Sequence, residues 1–232
     1  MKTLYEFNLE LDSIAEEMYG DSELRNDAFD VQVRGDKYKW IHQTRWEGFP
    51  ALQLPQDLFT IADIVHRTQP KTIIELGVAW GGTTLFLESL ANHLVVGVDQ
   101  YLPSHLIGAA KKRNIELIQG DTVASFDAVK KFAGNGNCLI ILDSMHTEEH
   151  VLAELEAYAL LTSIGSYCIV FDTVIEDMPI EMHKNRPWNP GNSPKTAVKE
   201  FIDKNSEFKI DEEIQDKLLI TSAPDGFLKR IK

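Results

Sequence analysis

Cysteine is nearly absent: the 232 residues contain two, Cys138 and Cys168. Both fall inside strongly apolar runs, so they read as reduced core thiols. Long hydrophobic runs are also missing. None approaches the ~20 residues that a membrane-spanning helix needs, although 44% of the residues are hydrophobic, ample for a core. Positive charge is short as well. Lys and Arg number 23 against 36 Asp and Glu, a net charge of −13. Such a surface repels phosphate backbones, so no nucleic-acid partner is expected. The opening segment MKTLYEFNLELDSIAEEMYG is acidic and has no continuous apolar core, so it does not read as a secretion signal. No internal repeat and no low-complexity segment is present. A soluble cytoplasmic protein with no membrane partner is expected.

Four apolar runs each carry a carboxylate at or near their end: TIIEL with Glu75, LVVGVD with Asp99, CLIILD with Asp143 and YCIVFD with Asp172. A shorter run, IELIQGD, ends in Asp121. Continuous apolar runs of this length read as buried parallel strands. Helical segments alternate with them, near Ser104–Arg113 and in GGTTLFLESLAN, VASFDAVKKFAG and TEEHVLAELEAYALL. Strand–helix alternation means βαβ units, a doubly wound α/β sheet and helices on both faces. Residues 1–50 read as a helical or irregular extension and 51–232 as the main domain, entered by a helix near Leu58–Arg67. The segment IEDMPIEMHKNRPWNPGNSPK carries four prolines and reads as a long loop, of the kind that often forms a lid or binding loop. After helix TAVKEFIDK come KLLITS, the turn APDG and FLKRI, which read as a C-terminal antiparallel hairpin. The sheet then has seven strands, mostly parallel.

In an open α/β sheet, ligands bind beyond the carboxyl ends of the strands. The loop ELGVAWGG follows the first strand and opens a helix. Gly77, Gly81 and Gly82 permit a tight turn and close approach of a ligand. Their spacing is G-x-x-x-G-G, whereas the dinucleotide fingerprint is G-x-G-x-x-G. That spacing argues against NAD. S-adenosylmethionine, which carries an ammonium and a sulfonium, suits a carboxylate such as Glu75 beside the loop. Asp99 stands where an acid accepts hydrogen bonds from ribose hydroxyls, and Asp121 where adenine would lie. The alternative is structural glycines with capping acids.

Asp143 and Asp172 end adjacent strands if the sheet is wound in the usual way. Two such carboxylates can hold Mg²⁺, a hard cation that takes oxygen ligands and keeps several waters. Thr173 is a candidate third oxygen. Each Asp alone could equally cap a helix or end a strand in solvent. His146, three residues past Asp143, is a candidate general base. His150, four residues further, reads as a packing or supporting residue more readily than a reactive one.

IIELGVAWGGTTLF, VVGVD, QGD, LDSMHTEEHV, FDTV, RPWNPGNSPKTAVKEF and KLLITSAPDGFLKRI together resemble the cephalosporin hydroxylase family of cephamycin biosynthesis. The likeness runs from about Trp40 to the C-terminus. It implies a class I S-adenosylmethionine-dependent methyltransferase fold, with a layout similar to that of catechol-type Mg²⁺-dependent O-methyltransferases. It implies Glu75, Gly77 and Asp99 as cofactor contacts and Asp143 and Asp172 as metal ligands. His146 occupies the place of the lysine base of catechol-type enzymes, and Thr173 that of an Asn ligand. One departure stands out: the family has a Glu-Asp pair where this chain has Phe171-Asp172.

The expected activity is therefore Mg²⁺-assisted O-methylation of a small hydroxylated molecule, a sugar or secondary metabolite. Two rivals remain. One is an oxidoreductase, either a nicotinamide enzyme on the same class of sheet or an iron hydroxylase built on Asp143, His146 and His150, an awkward facial triad at one strand–helix junction. The other is a non-catalytic, cofactor-binding assembly protein, favoured by the missing acid at Phe171. The aromatic N-terminal region outside the sheet leads to the expectation of a homo-oligomer.

Overall fold

The computed structural model of the chain describes residues 2–90, 93–134 and 137–232. The last two residues of the expected helix GGTTLFLESLAN lie outside them. Two helices come first, α1 (Leu4–Gly20) and α2 (Ser22–Asp36). Thr3 and Glu6 form a reciprocal capping box at the start of α1, and Asp21 caps α2. A 3₁₀ turn at Trp40–Gln43 leads into a small hairpin, β1 (Arg45–Trp46) and β2 (Phe49–Pro50), and then α3 (Pro55–Thr68).

The main body alternates as expected: β3 (Thr72–Leu76), α4 (Gly82–Ser89), β4 (Leu94–Asp99), α5 (Ser104–Ala110), β5 (Ile115–Gln119), α6 (Phe126–Ala133), β6 (Cys138–Leu142), α7 (Glu148–Tyr158) and β7 (Tyr167–Val170). Then follow α8 (Pro194–Lys204), β8 (Phe208–Ile210), α9 (Glu212–Gln215) and β9 (Phe227–Arg230). Seven strands form one sheet in the order β5-β4-β3-β6-β7-β9-β8. The first five in that row are parallel, and β9 runs antiparallel to both β7 and β8.

Alternating side chains of the buried strands feed two cores. Ile73 faces a cluster with Leu58, Ile61 and Val65 of α3 and Leu85 of α4. Its neighbour Ile74 faces Val129 of α6, Leu155 of α7 and Phe201 of α8. Both faces are therefore covered, which is why these strands read as unbroken apolar runs. Cys138 and Cys168 are fully buried and unbonded to each other. No described helix is long and apolar enough to cross a membrane.

One expected strand is absent. Lys217–Ser222 does not pair with Phe227–Arg230; β8 takes that place. The polar groups of the segment are drawn elsewhere. Ile220 O accepts from Gln56 Nε2 at 2.8 Å, Thr221 O from Gln32 Nε2 at 3.0 Å, and Ser222 N donates to Asp57 Oδ2 at 2.9 Å. Those bonds satisfy the backbone without a ladder.

Candidate active site

The ladder runs to the strand tips, so the loops begin in register. Gly77 N donates to Val98 O at 2.8 Å and Asp143 N to Leu76 O at 2.8 Å. Gly77 has φ 93°, and a Cβ there would sit 2.1 Å from the Asp143 carbonyl oxygen. Only glycine lets the β3 and β6 tips approach this closely. Gly82 serves a different contact. A Cβ on it would lie 2.4 Å from the Pro50 carbonyl oxygen, so the N-terminal hairpin is seated on the start of α4. Gly81 packs against Leu106.

The carboxylates of this half are largely engaged within the protein. Glu75 is fully buried and accepts from Thr84 Oγ1 at 2.6 Å, which ties β3 to α4. Burial, against the opposing Thr84 bond, pushes its carboxyl up to about 8, with Asp143 and Asp99 adding to the rise. Asp99 Oδ2 accepts from the amides of Val78 and Ala79, both at 3.0 Å, and Oδ1 accepts from Tyr101 N at 3.0 Å. The loop is thus clamped onto the β4 tip. Beyond it lies a cavity of about 270 Å³ whose wall includes Gly77, Ala79, Asp99, Gln100, Thr122 and His150. Glu75, Gly81 and Gly82 support this wall from behind and do not line it. Asp121 does not line it either; its Oδ1 accepts from Ala124 N at 2.9 Å and caps the turn before α6.

Sequence reasoning missed Glu154. It is fully buried on α7, and its Oε1 accepts from Ser144 Oγ at 2.5 Å and from the Thr122 hydroxyl. His150 Nε2 lies 3.2 Å from the same oxygen and 2.9 Å from Thr122 Oγ1. The bond to Glu154 raises the His150 pKa, against burial. His150 is therefore held on the wall of the cofactor-side cavity by Glu154 and Thr122. The i, i+4 spacing of His150 and Glu154 on a helix was the signal available in the sequence.

Asp143, His146 and Asp172 converge: one ligand atom from each lies within 4.8 Å of the others. His146 Nε2 is 3.4 Å from Asp143 Oδ1, and His146 Nδ1 is 3.3 Å from Asp172 Oδ2. Neither contact has hydrogen-bond geometry, so both ring nitrogens are buried without a partner. Burial alone would depress the His146 pKa; the Asp172 and Asp143 charges outweigh it and raise it. Burial pushes the Asp143 carboxyl up, with the Asp172 charge adding to the rise and His146 opposing it. Asp172 itself sits at φ 56°, a left-handed conformation that turns its side chain off the end of β7.

Two expectations need correction here. Thr173 does not join the cluster. It is fully buried, lines neither cavity, and its hydroxyl donates to Pro224 O at 2.6 Å. The iron triad does not form either, because His150 is bonded to Glu154; the cluster is one histidine with two carboxylates. Phe171 is fully buried in the core, so no second acid stands beside Asp172, and His146 fills that side of the cluster.

Asp143, Ser144, Ala79 and Trp188 are common to the first cavity and a second of about 380 Å³. The second is lined by Asp143, His146 and Asp172 at one end. Gln32, Asp36, Trp40 and His42 of the N-terminal segment close it, together with Met178, His183 and Arg186 of the proline-rich loop. The Trp188 ring meets His146 edge-on at 4.8 Å and carries the Arg186 guanidinium 5.2 Å from its centroid. The loop and the N-terminal helices therefore form the walls of this cavity.

A curated relative, "Rhamnosyl O-methyltransferase" of Mycobacterium tuberculosis (strain H37Rv), is 26% identical over 214 residues, covering 85% of each chain. The Mycobacterium leprae (strain TN) protein of the same name is 26% identical over 215 residues, covering 85% of this chain and 90% of its own. Among solved structures, CmcI with Mg and SAM matches at a TM-score of 0.58 and 20% identity, over 82% of this chain and 78% of that one. That likeness is one of fold. The family model "Rhamnosyl O-methyltransferase/CmcI" matches residues 38–231, and the chain belongs to that family.

Proposed function

We propose that this chain is an S-adenosylmethionine-dependent, Mg²⁺-assisted O-methyltransferase whose acceptor is a hydroxyl of a small sugar-bearing molecule. The observation that carries the reading is the Asp143–His146–Asp172 cluster, which lines one cavity and reaches the other through Asp143. The donor set fits Mg²⁺: two hard carboxylates converge beside an imidazole whose nitrogens have no partner. Asp143 and Asp172 would hold the ion, which supplies Lewis acidity that lowers the pKa of an acceptor hydroxyl. S-adenosylmethionine, when bound, supplies the methyl group. Gly77 and Ala79 leave room for it, and Asp99 and Thr122 offer polar contacts along that wall. Glu75, Gly81, Gly82 and Asp121 hold the loop and turn in shape.

On the other side, His146 takes the hydroxyl proton on a ring nitrogen, and its two carboxylate neighbours stabilise the imidazolium that forms. Trp40 and Trp188 offer flat faces to a sugar ring, and Asp36, His42 and Arg186 offer polar groups to its hydroxyls. The curated relatives' name supports a sugar acceptor. Much of the rate comes from positioning the two reactants across the shared wall.

Calorimetric titration with S-adenosylmethionine, with and without Mg²⁺, followed by a methylation assay on a panel of hydroxylated glycosides, tests this. Saturable cofactor binding and Mg²⁺-stimulated transfer to a glycoside are expected. Absence of cofactor binding at about millimolar concentration, a weak affinity for a cofactor, would sink the reading.

A further inference from the structure

Behind the metal-side cluster runs a buried polar chain that the mechanism above does not use. Gln53, Asp57 and Ser222 are almost wholly excluded from solvent. Gln53 Nε2 donates to Asp143 Oδ2 at 2.8 Å. Ser222 Oγ lies 3.2 Å from Gln53 Oε1 and 2.7 Å from Asp57 Oδ2, so its one hydroxyl proton is shared between two acceptors, with the shorter contact to Asp57. Asp57 also accepts from Ser222 N at 2.9 Å and from Thr221 Oγ1 at 2.6 Å. The direction of the chain is fixed by chemistry. A carboxylate only accepts, so the amide nitrogen must face Asp143 and Oε1 must face Ser222.

We infer that Gln53 is a positioning residue for Asp143, locked in place by Ser222 and Asp57, and that this relay sets the metal affinity of the site. Gln53 holds Asp143 by Oδ2, and Oδ1 is the oxygen on the His146 side. A carboxylate tethered at one oxygen loses its rotational freedom, so the direction in which its free lone pairs meet an ion is set. Outer groups that orient ligands in this way typically change metal affinity ~10–100-fold when removed. The relay joins three distant stretches: the start of α3, the β6 tip, and the 221–222 segment that sequence patterning assigned to a strand. It explains why that segment forgoes a ladder. Burying an isolated Gln or Ser would cost stability; here each has a partner that leads to Asp143.

The inference rests on the metal reading above, and Mn²⁺ serves as the probe. Free Mn²⁺ is followed by electron paramagnetic resonance during titration of the full chain, wild type and Gln53→Met, with Ser222→Ala as a second variant. Methionine matches the Gln volume and lacks the donor. The expected result is a loss of Mn²⁺ affinity of about 10-fold or more for Gln53→Met. Ser222→Ala should show a smaller loss in the same direction, although Ser222 does not bond to Asp143. S-adenosylmethionine affinity measured without metal should stay at the wild-type value in both, which a merely structural lesion would not spare. Folded variants that bind Mn²⁺ like the wild type overturn the relay. Should Gln53→Met fail to fold, Ser222→Ala alone decides: unchanged Mn²⁺ affinity overturns the relay. A wild-type protein that binds no Mn²⁺ overturns the metal reading itself.

Discussion

The two halves of the sheet's carboxyl edge use the same residue type in opposite ways. On the β3–β4 side, Glu75 and Asp99 are tied to their own loop and helix: one accepts from Thr84, the other from three backbone amides. On the β6–β7 side, Asp143 and Asp172 crowd a histidine whose nitrogens remain without hydrogen bonds. Carboxylates bonded to the loop shape it. Carboxylates held near each other with unmet partners are poised to take a cation or a proton. Position on a strand tip therefore does not decide function; the state of the side chain's hydrogen bonds does.

The sharpest way to break the comparison is to delete one acid from each half. Asp143→Ala should lower methyl transfer about 10³-fold, ~4 kcal/mol of barrier, in steady-state rates, and abolish Mn²⁺ binding. Asp99→Ala should do the reverse, releasing the loop and weakening cofactor binding while Mn²⁺ affinity stays at the wild-type value. Gly77→Ala tests the junction between the halves. Its Cβ would meet the Asp143 carbonyl at a strained φ, and a destabilisation of about 3 kcal/mol is expected in urea unfolding.

A pH series separates the halves further. The folded-state pKa of Glu75 is raised above its ordinary value of 4.5 to about 8. Its contribution to stability is full below 4.5 and is lost as pH rises through about 8. Glu75→Gln should flatten the dependence of Tm on pH across that window. The smallest effect belongs to Thr173→Val, which removes one buried hydrogen bond to Pro224. A loss of about 1 kcal/mol in stability is expected, with no change in Mn²⁺ affinity; a tighter or weaker ion would reinstate Thr173 as a ligand.

The sheet was legible because burial on both faces writes itself as unbroken apolar runs, and TIIEL, LVVGVD, CLIILD and YCIVF are strands or nearly so. The convergence of Asp143, His146 and Asp172 was legible for the same reason, since adjacent strand tips bring their last residues together. Other features were hidden. KLLITS has strand-like side chains, but three of its backbone groups bond to residues more than 160 positions away, beyond any local pattern. Thr173 sits at the right sequence position for a ligand, yet its hydroxyl direction is set by Pro224. Glu154 and Gln53 look like surface residues of a helix and a loop; only the packed structure shows them buried under the site.

Asp143, Ser144, Ala79 and Trp188 belong to the walls of both cavities. A ligand that shifts one of these four residues reshapes the wall that the other ligand meets. Whatever factor the cofactor imposes on acceptor affinity, the acceptor imposes on cofactor affinity, because the free energy around the cycle must close. Any coupling carried by the shared wall is therefore equal in both directions, and a measured order of addition would report kinetics rather than a difference in it.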